Sequence, residues 1–168
     1  MHGYDVACLL CNFGTDEKGN RVYRHNSKND NDVIIGIDPD LEKSGVAVKS
    51  KDGLRLLNLT FVELKDLIEK ECAVIKKVVV EAGWLNTKSN FRNIQSRLVA
   101  ERTAKNVGEN HATGKLIVQL IKSMGIPVVE IKPYRSKLNA DDFNRITGWT
   151  GRTNQEQRDA AMLIVGEK

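Results

Sequence analysis

No apolar run among the 168 residues approaches the roughly 18 that a membrane span requires, and the first residues lack a basic, apolar, small-residue signal pattern. These absences set a cytoplasmic default. Cysteine is scarce: three residues, an odd number without a secretory signal, argue against a disulfide framework. Cys8-Leu9-Leu10-Cys11 is a lone CxxC with His2 and His25 nearby, but no second CxxC follows and the spacing fits zinc poorly. Ordinary thiols are expected there. No internal repeat or low-complexity tract appears. What remains is 40% hydrophobic and 29% charged, ordinary for one globular domain with one core. A net charge of +4 permits nucleic acid or another polyanion as partner without demanding it.

Residues 1–31 are polar toward their end, where His25-Asn26-Ser27-Lys28-Asn29-Asp30-Asn31 has little to bury. They read as a flexible leader with a short hairpin around Lys18-Gly19-Asn20, and the folded domain is expected over 32–168. Residues 33–48 are two apolar runs joined by an acidic turn, Asp38-Pro39-Asp40, which reads as a β-hairpin. The first run is nearly continuous, as in a strand buried on both faces, and it ends on Asp38, whose charge is costly there unless a cation meets it. Asp38 also reads as a simple turn former. A third strand at 54–59 completes an antiparallel meander.

Thr60-x-x-Glu63 is a capping box opening a helix with Phe61, Leu64, Leu67 and Ile68 on one face. Residues 75–80 form a β-branched strand that ends on Glu81, a second strand closed by a carboxylate. Helical spacing over 90–107 (Phe91, Ile94, Leu98, Val99) breaks at Gly108 and resumes over 112–124, with Gly125 as its cap. A strand at 126–131, a short helix at 141–147 and a last helix capped by Asn154 with Gln157 follow. Strand, helix, strand order implies parallel pairing, so the sheet is mixed. Glu156 and Asp159 share one face of the last helix. Four carboxylates brought together could hold two divalent cations about 3.5–4 Å apart, the arrangement for in-line attack on a phosphodiester.

Ile35-Gly36-Ile37-Asp38-Pro39 with Gly45 across the hairpin, Val78-Val79-Val80-Glu81, Gly108 and Gly114 before the 116–124 run, the Pro133/Lys137 segment, and Asp159-Ala160-Ala161 occur in one order. That order resembles the RuvC-type Holliday-junction resolvases of the ribonuclease H-like superfamily, and it spans nearly everything from residue 33 on. The resemblance implies an α/β fold, ribonuclease H-like, with a five-stranded mixed sheet flanked by helices. It also implies a Mg²⁺-dependent endonuclease, with Mn²⁺ able to substitute, acting as a homodimer on four-way DNA junctions. By position, Asp38, Glu81 and Asp159 match the family's acidic residues and Glu156 stands at a further ligand position. Trp84 stands where the family carries an aromatic that wedges into the junction; a ring packed under the following segment is the alternative reading. Lys132, Arg135, Lys137, Arg145, Arg152 and Arg158 form a basic group around the last helix, of which Lys132, Arg135, Lys137, Arg152 and Arg158 are expected DNA contacts. Asp40 reads as a fifth carboxylate or a turn former, and His111 as a phosphate contact or a solvent-facing residue. The leader and the polar stretch between Trp84 and Gly108 depart from a compact bacterial resolvase and fit a phage or mobile-element relative.

Three other readings compete. Actin-like ATPases and sugar kinases also use an Asp-rich hairpin at phosphate, but they require a second copy of the fold and a glycine-rich adenosine site. Another ribonuclease H-like nuclease, cutting branched DNA or RNA–DNA hybrid, or a non-catalytic junction-binding module would share the scaffold; the module would have lost carboxylates that this chain keeps.

Overall fold

The computed structural model describes residues 13–15, 21–23, 32–86, 97–134 and 136–167. β1 (Phe13–Thr15) and β2 (Arg21–Tyr23) pair antiparallel, with Phe13 opposite Tyr23, and the turn expected at Lys18-Gly19-Asn20 lies outside the described residues. Cys8, Cys11, Phe91, Ile94 and Arg135 lie outside the described residues.

The main sheet is built on the buried strand β3 (Val33–Asp38). β4 (Ser44–Ser50) folds back antiparallel on it, β5 (Gly53–Leu59) extends the meander, and on the other side β6 (Ile75–Glu81) and β7 (Val128–Ile131) run parallel. The order is β5-β4-β3-β6-β7. With apolar side chains on both faces, β3, β4 and β6 need cover on both, and the helices supply it. On one face α1 (Phe61–Glu71) and α2 (Arg97–Ser123) bury Leu64, Ile68, Ile117 and Ile121 against Ile35, Ile37, Val46, Val78 and Val80. On the other, α3 (Ala140–Thr147) and α4 (Gln155–Met162) bury Phe143, Ala160 and Ala161 against Ile34, Ala47 and Val79. Each of the Val, Leu, Ile and Phe side chains taken fully from water contributes about 1.5–3 kcal/mol.

The capping boxes at Thr60/Glu63 and Asn154/Gln157 form as the spacing predicts. Two expectations need correcting. The break at Gly108 is absent, and α2 runs through both Gly108 and Gly114 as one helix of 27 residues. A helical glycine costs only about 1 kcal/mol against alanine, and Gly114 is required for packing: a Cβ there would lie 2.5 Å from the Trp84 ring and 3.1 Å from Pro39. Cys72, buried at the end of α1, is disulfide-bonded, against the reading drawn from the odd cysteine count. Among the described residues no helix is long and apolar enough to cross a membrane.

Candidate active site

The register of the sheet places the acids. Asp38 pairs with Gly45, Gly45 with Asn58, and one step beyond the Ile37–Val80 pair Glu81 ends the neighbouring parallel strand. Asp38 and Glu81 therefore stand side by side at the carboxyl edge of the sheet, where open α/β sheets bind ligands. Both point toward the α4 face, because side chains alternate along a strand and Gly36, two residues before Asp38, faces Ala160 of α4. A Cβ at Gly36 would overlap the Ala160 carbonyl oxygen, and one at Gly45 would overlap that of Glu156. Two glycines thus let the backbone of α4 lie directly on the hairpin. That close approach delivers Glu156 and Asp159, at the start of the helix, to Asp38 and Glu81.

The electrostatics record the convergence. Burial raises the Asp38 carboxyl from 3.8 to about 8, and the charges of Glu81, Asp159 and Glu156 add to the shift while Lys137 opposes it. Glu81 is raised in the same direction, first by burial and then by Asp159, again against Lys137. Asp159, with an 11% exposed side chain, accepts from Lys137 Nζ at 2.7 Å through Oδ2 and from Gln155 Nε2 at 2.7 Å through Oδ1. Burial lowers the Lys137 ammonium, but the Asp159 bond and the charges of Asp159, Asp38 and Glu81 outweigh it and hold the group above its ordinary range. One lysine therefore serves as counter-ion to three carboxylates. An open cleft of about 540 Å³ leads to them, lined by Asp38, Glu81, Trp84, His111, Lys137 and Glu156 among others.

The donor set is all carboxylate oxygen, which suits a hard divalent ion such as Mg²⁺. Among the described residues no three His, Cys, Asp or Glu side chains close round a single point as they stand. The Lys137 ammonium holds Asp159 by a charge-assisted hydrogen bond.

No protein-family model and no curated protein matches the sequence. Among solved structures, Thermus thermophilus RuvC in complex with a Holliday junction substrate is similar over 80% of this chain and 90% of that one, at 16% identity and a TM-score of 0.50. Another Thermus thermophilus RuvC structure is similar over 79% of this chain and 91% of that one, at 15% identity and a TM-score of 0.47. The fold is ribonuclease H-like.

On this ribonuclease H-like sheet the turn-forming role belongs to Asp40, not Asp38. Asp40 Oδ1 accepts the Glu42 N–H at 2.9 Å, its backbone N–H and carbonyl bond the Ser44 hydroxyl, and Asn110 Nδ2 donates to Oδ2 at 3.1 Å. Asn110 Oδ1 in turn accepts the Leu41 N–H at 3.2 Å, which ties the hairpin turn to α2. Asp38 is left with its carboxyl facing the cleft.

Two of the expected DNA contacts are engaged within the protein. The half-buried Trp84 ring packs on Gly114 and edge-on to His111, with centroids 6.1 Å apart, and Nε1 donates to Glu130 Oε2 at 3.2 Å. The packed-ring reading describes it, and one edge borders the cleft together with His111. Arg158 is not a free surface cation. Nε donates to the Leu138 carbonyl at 3.0 Å, Nη1 to Thr153 O and Oγ1 at 2.9 and 3.1 Å, and Nη2 to Gln155 Oε1 at 2.8 Å. Its planar fork is spent joining the Lys137 segment, the α4 entry loop and Gln155. Lys132, Lys137 and Arg152 are exposed, and Arg145 pairs with Asp142 on the surface of α3.

Sequence reasoning missed Gln155 and Asn110. Gln155 stands four residues before Asp159 on the same helix, a spacing that could have flagged it. Asn110 reaches Asp40 across 70 residues of chain, and no local signal announces it.

Proposed function

We propose that the chain is a divalent-metal-dependent, structure-selective endodeoxyribonuclease that resolves four-way DNA junctions. The observation that carries this reading is the meeting of Asp38, Glu81, Glu156 and Asp159, from three separate elements, at one sheet edge beside a cleft. A site built to hold surplus buried negative charge asks for cations. The likeness in fold to a RuvC solved with a Holliday junction substrate supports branched DNA as the substrate.

Asp38, Glu81, Glu156 and Asp159 would hold the metal, whose chemistry when bound is to activate water and neutralise charge on the phosphoryl group and leaving oxygen. Gln155 fixes the Asp159 carboxylate from Oδ1, leaving the direction of Oδ2 set by Lys137. Lys137 carries the one ammonium in the cluster and presents it to the cleft, where a phosphate of the substrate strand meets it. Lys132 and Arg152 neutralise flanking phosphates, so affinity falls with salt. A junction offers two equivalent strands, and the reading includes a homodimer. Leu98 and Val99, 77% and 55% exposed on the first turns of α2, supply apolar surface for a second copy.

The test is incubation with a synthetic four-way junction, matched duplex and RNA–DNA hybrid, with Mg²⁺ and with chelator. Paired nicks in the junction alone, abolished by chelator and by Glu81→Gln, support the reading. Cutting of the hybrid alone assigns a ribonuclease, and tight junction binding without cutting assigns a binding module.

A further inference from the structure

We propose that a second cavity, beside the acids on the side away from the hairpin, receives a nucleobase of the nucleotide adjoining the cleaved phosphate. The proposal rests on the nuclease reading and adds a specificity pocket to it.

The cavity measures about 280 Å³ and is lined by the apolar or aromatic Tyr134, Leu138, Ile146 and Met162 together with the polar Glu81, Ser136, Lys137 and Asp159. Glu81 and Lys137 line the larger cleft as well. The carboxylates therefore stand on the ridge between two depressions. A strand crossing that ridge with a phosphate at Lys137 has its neighbouring nucleoside over the smaller cavity.

The wall chemistry fits a flat, apolar ring system. Tyr134 is 58% exposed and Ile146 50% exposed, while Phe143 of the same short helix is fully buried. Single exposed apolar residues need no explanation. Here two of them converge on one cavity that Glu81 and Asp159 also line. Pockets for drug-sized ligands run from roughly 300 to 1,000 Å³, so this space suits one base rather than an extended molecule. Flipped or unpaired bases are held between aromatic and apolar side chains in this way, and extrusion costs least for a base already out of the stack. The crossover of a branched substrate provides such bases.

The fold explains why the space exists. β7 ends at Ile131 and α3 begins at Ala140, capped by Asn139, and Arg158 anchors the intervening segment at the Leu138 carbonyl. The segment is thus tied to α4 at Leu138, and the space between Tyr134, Ile146 and Met162 is the cavity.

The test uses the full chain and junctions in which the nucleotides on either side of the cleaved bond are each varied among the four bases and an abasic residue. Wild type is expected to prefer particular bases at one of these positions by about tenfold or more, and to lose about as much when that base is removed. Tyr134→Ala and Ile146→Ala are expected to cut the favoured junction about tenfold more slowly, within the range for loss of base–aromatic stacking. They should narrow the base preference to about twofold and give no further loss on the abasic junction. Both side chains are half exposed, so the variants should keep the wild-type melting temperature. Unchanged preference in both variants, or equal slowing on natural and abasic junctions, overturns the pocket and leaves the nuclease reading standing. No cutting of any junction by wild type overturns both.

Discussion

Asp38→Asn should separate stability from function, because the charge that the site needs is one that the fold resists. In the unfolded chain this carboxyl ionises at 3.8, and in the folded protein at about 8. Between these values the native state retains a proton that the unfolded state has released, so stability falls as pH rises through the window. At 1.36 kcal/mol per pH unit the full gap corresponds to on the order of 5 kcal/mol. Water and counter-ions in the open cleft take up part of it, leaving about 2–3 kcal/mol to be measured. Asparagine keeps the shape and removes the charge. In chelator, Asp38→Asn should match wild type near pH 4–5 and exceed it increasingly toward pH 8, where the melting temperature should be higher by about 5–10 °C. Mg²⁺ should raise wild type toward the variant and leave the variant almost unmoved. Unfolding curves from pH 4 to 9, with chelator and with Mg²⁺, read this directly. A variant less stable than wild type at every pH would refute the reasoning, since it would make Asp38 a structural hydrogen-bonding residue.

Gly45→Ala should push α4 off the hairpin, lowering stability by about 1–3 kcal/mol and abolishing cleavage, measured by melting and junction nicking; an active, stable variant would contradict the glycine argument. Trp84→Ala should cost about 1–3 kcal/mol, less than for a fully buried ring because one edge borders the cleft, whereas loss of junction processing at unchanged melting temperature would favour the wedge role. Arg158→Lys should weaken junction cutting through both Gln155 and the Lys137 segment while leaving the salt dependence of junction binding unchanged; a reduced salt slope would mean that Arg158 contacts phosphate. Removing residues 1–31 should leave a folded domain that still cuts, and an unfolded product would move the domain boundary.

The hairpin at 33–48, the mixed five-stranded sheet and the capping boxes were legible because each depends on local pattern: apolar runs, turn residues and spacings of three. The acids were legible because three of them end or open elements, where position in the chain and position at the sheet edge coincide. The internal partners of Trp84 and Arg158 were hidden for the opposite reason. Nothing near either residue in sequence reveals Gly114 and Glu130 beneath the indole, or the carbonyls of Thr153 and Leu138 beneath the guanidinium. The continuity of α2 was hidden by Gly108, since propensity counts the cost of a helical glycine and not the packing that repays it. Lys137 was expected to meet DNA; its bond to Asp159 came only from the way α4 lies on the sheet.

The central claim is that these carboxylates act together as one cation site, and Mn²⁺ titration followed by electron paramagnetic resonance reads it without reference to cutting. Wild type should bind Mn²⁺ in competition with Mg²⁺, and Asp38→Asn, Glu81→Gln and Asp159→Asn should each weaken that binding at least about tenfold. Wild type and all three variants binding Mn²⁺ alike, or wild type binding none, would contradict it.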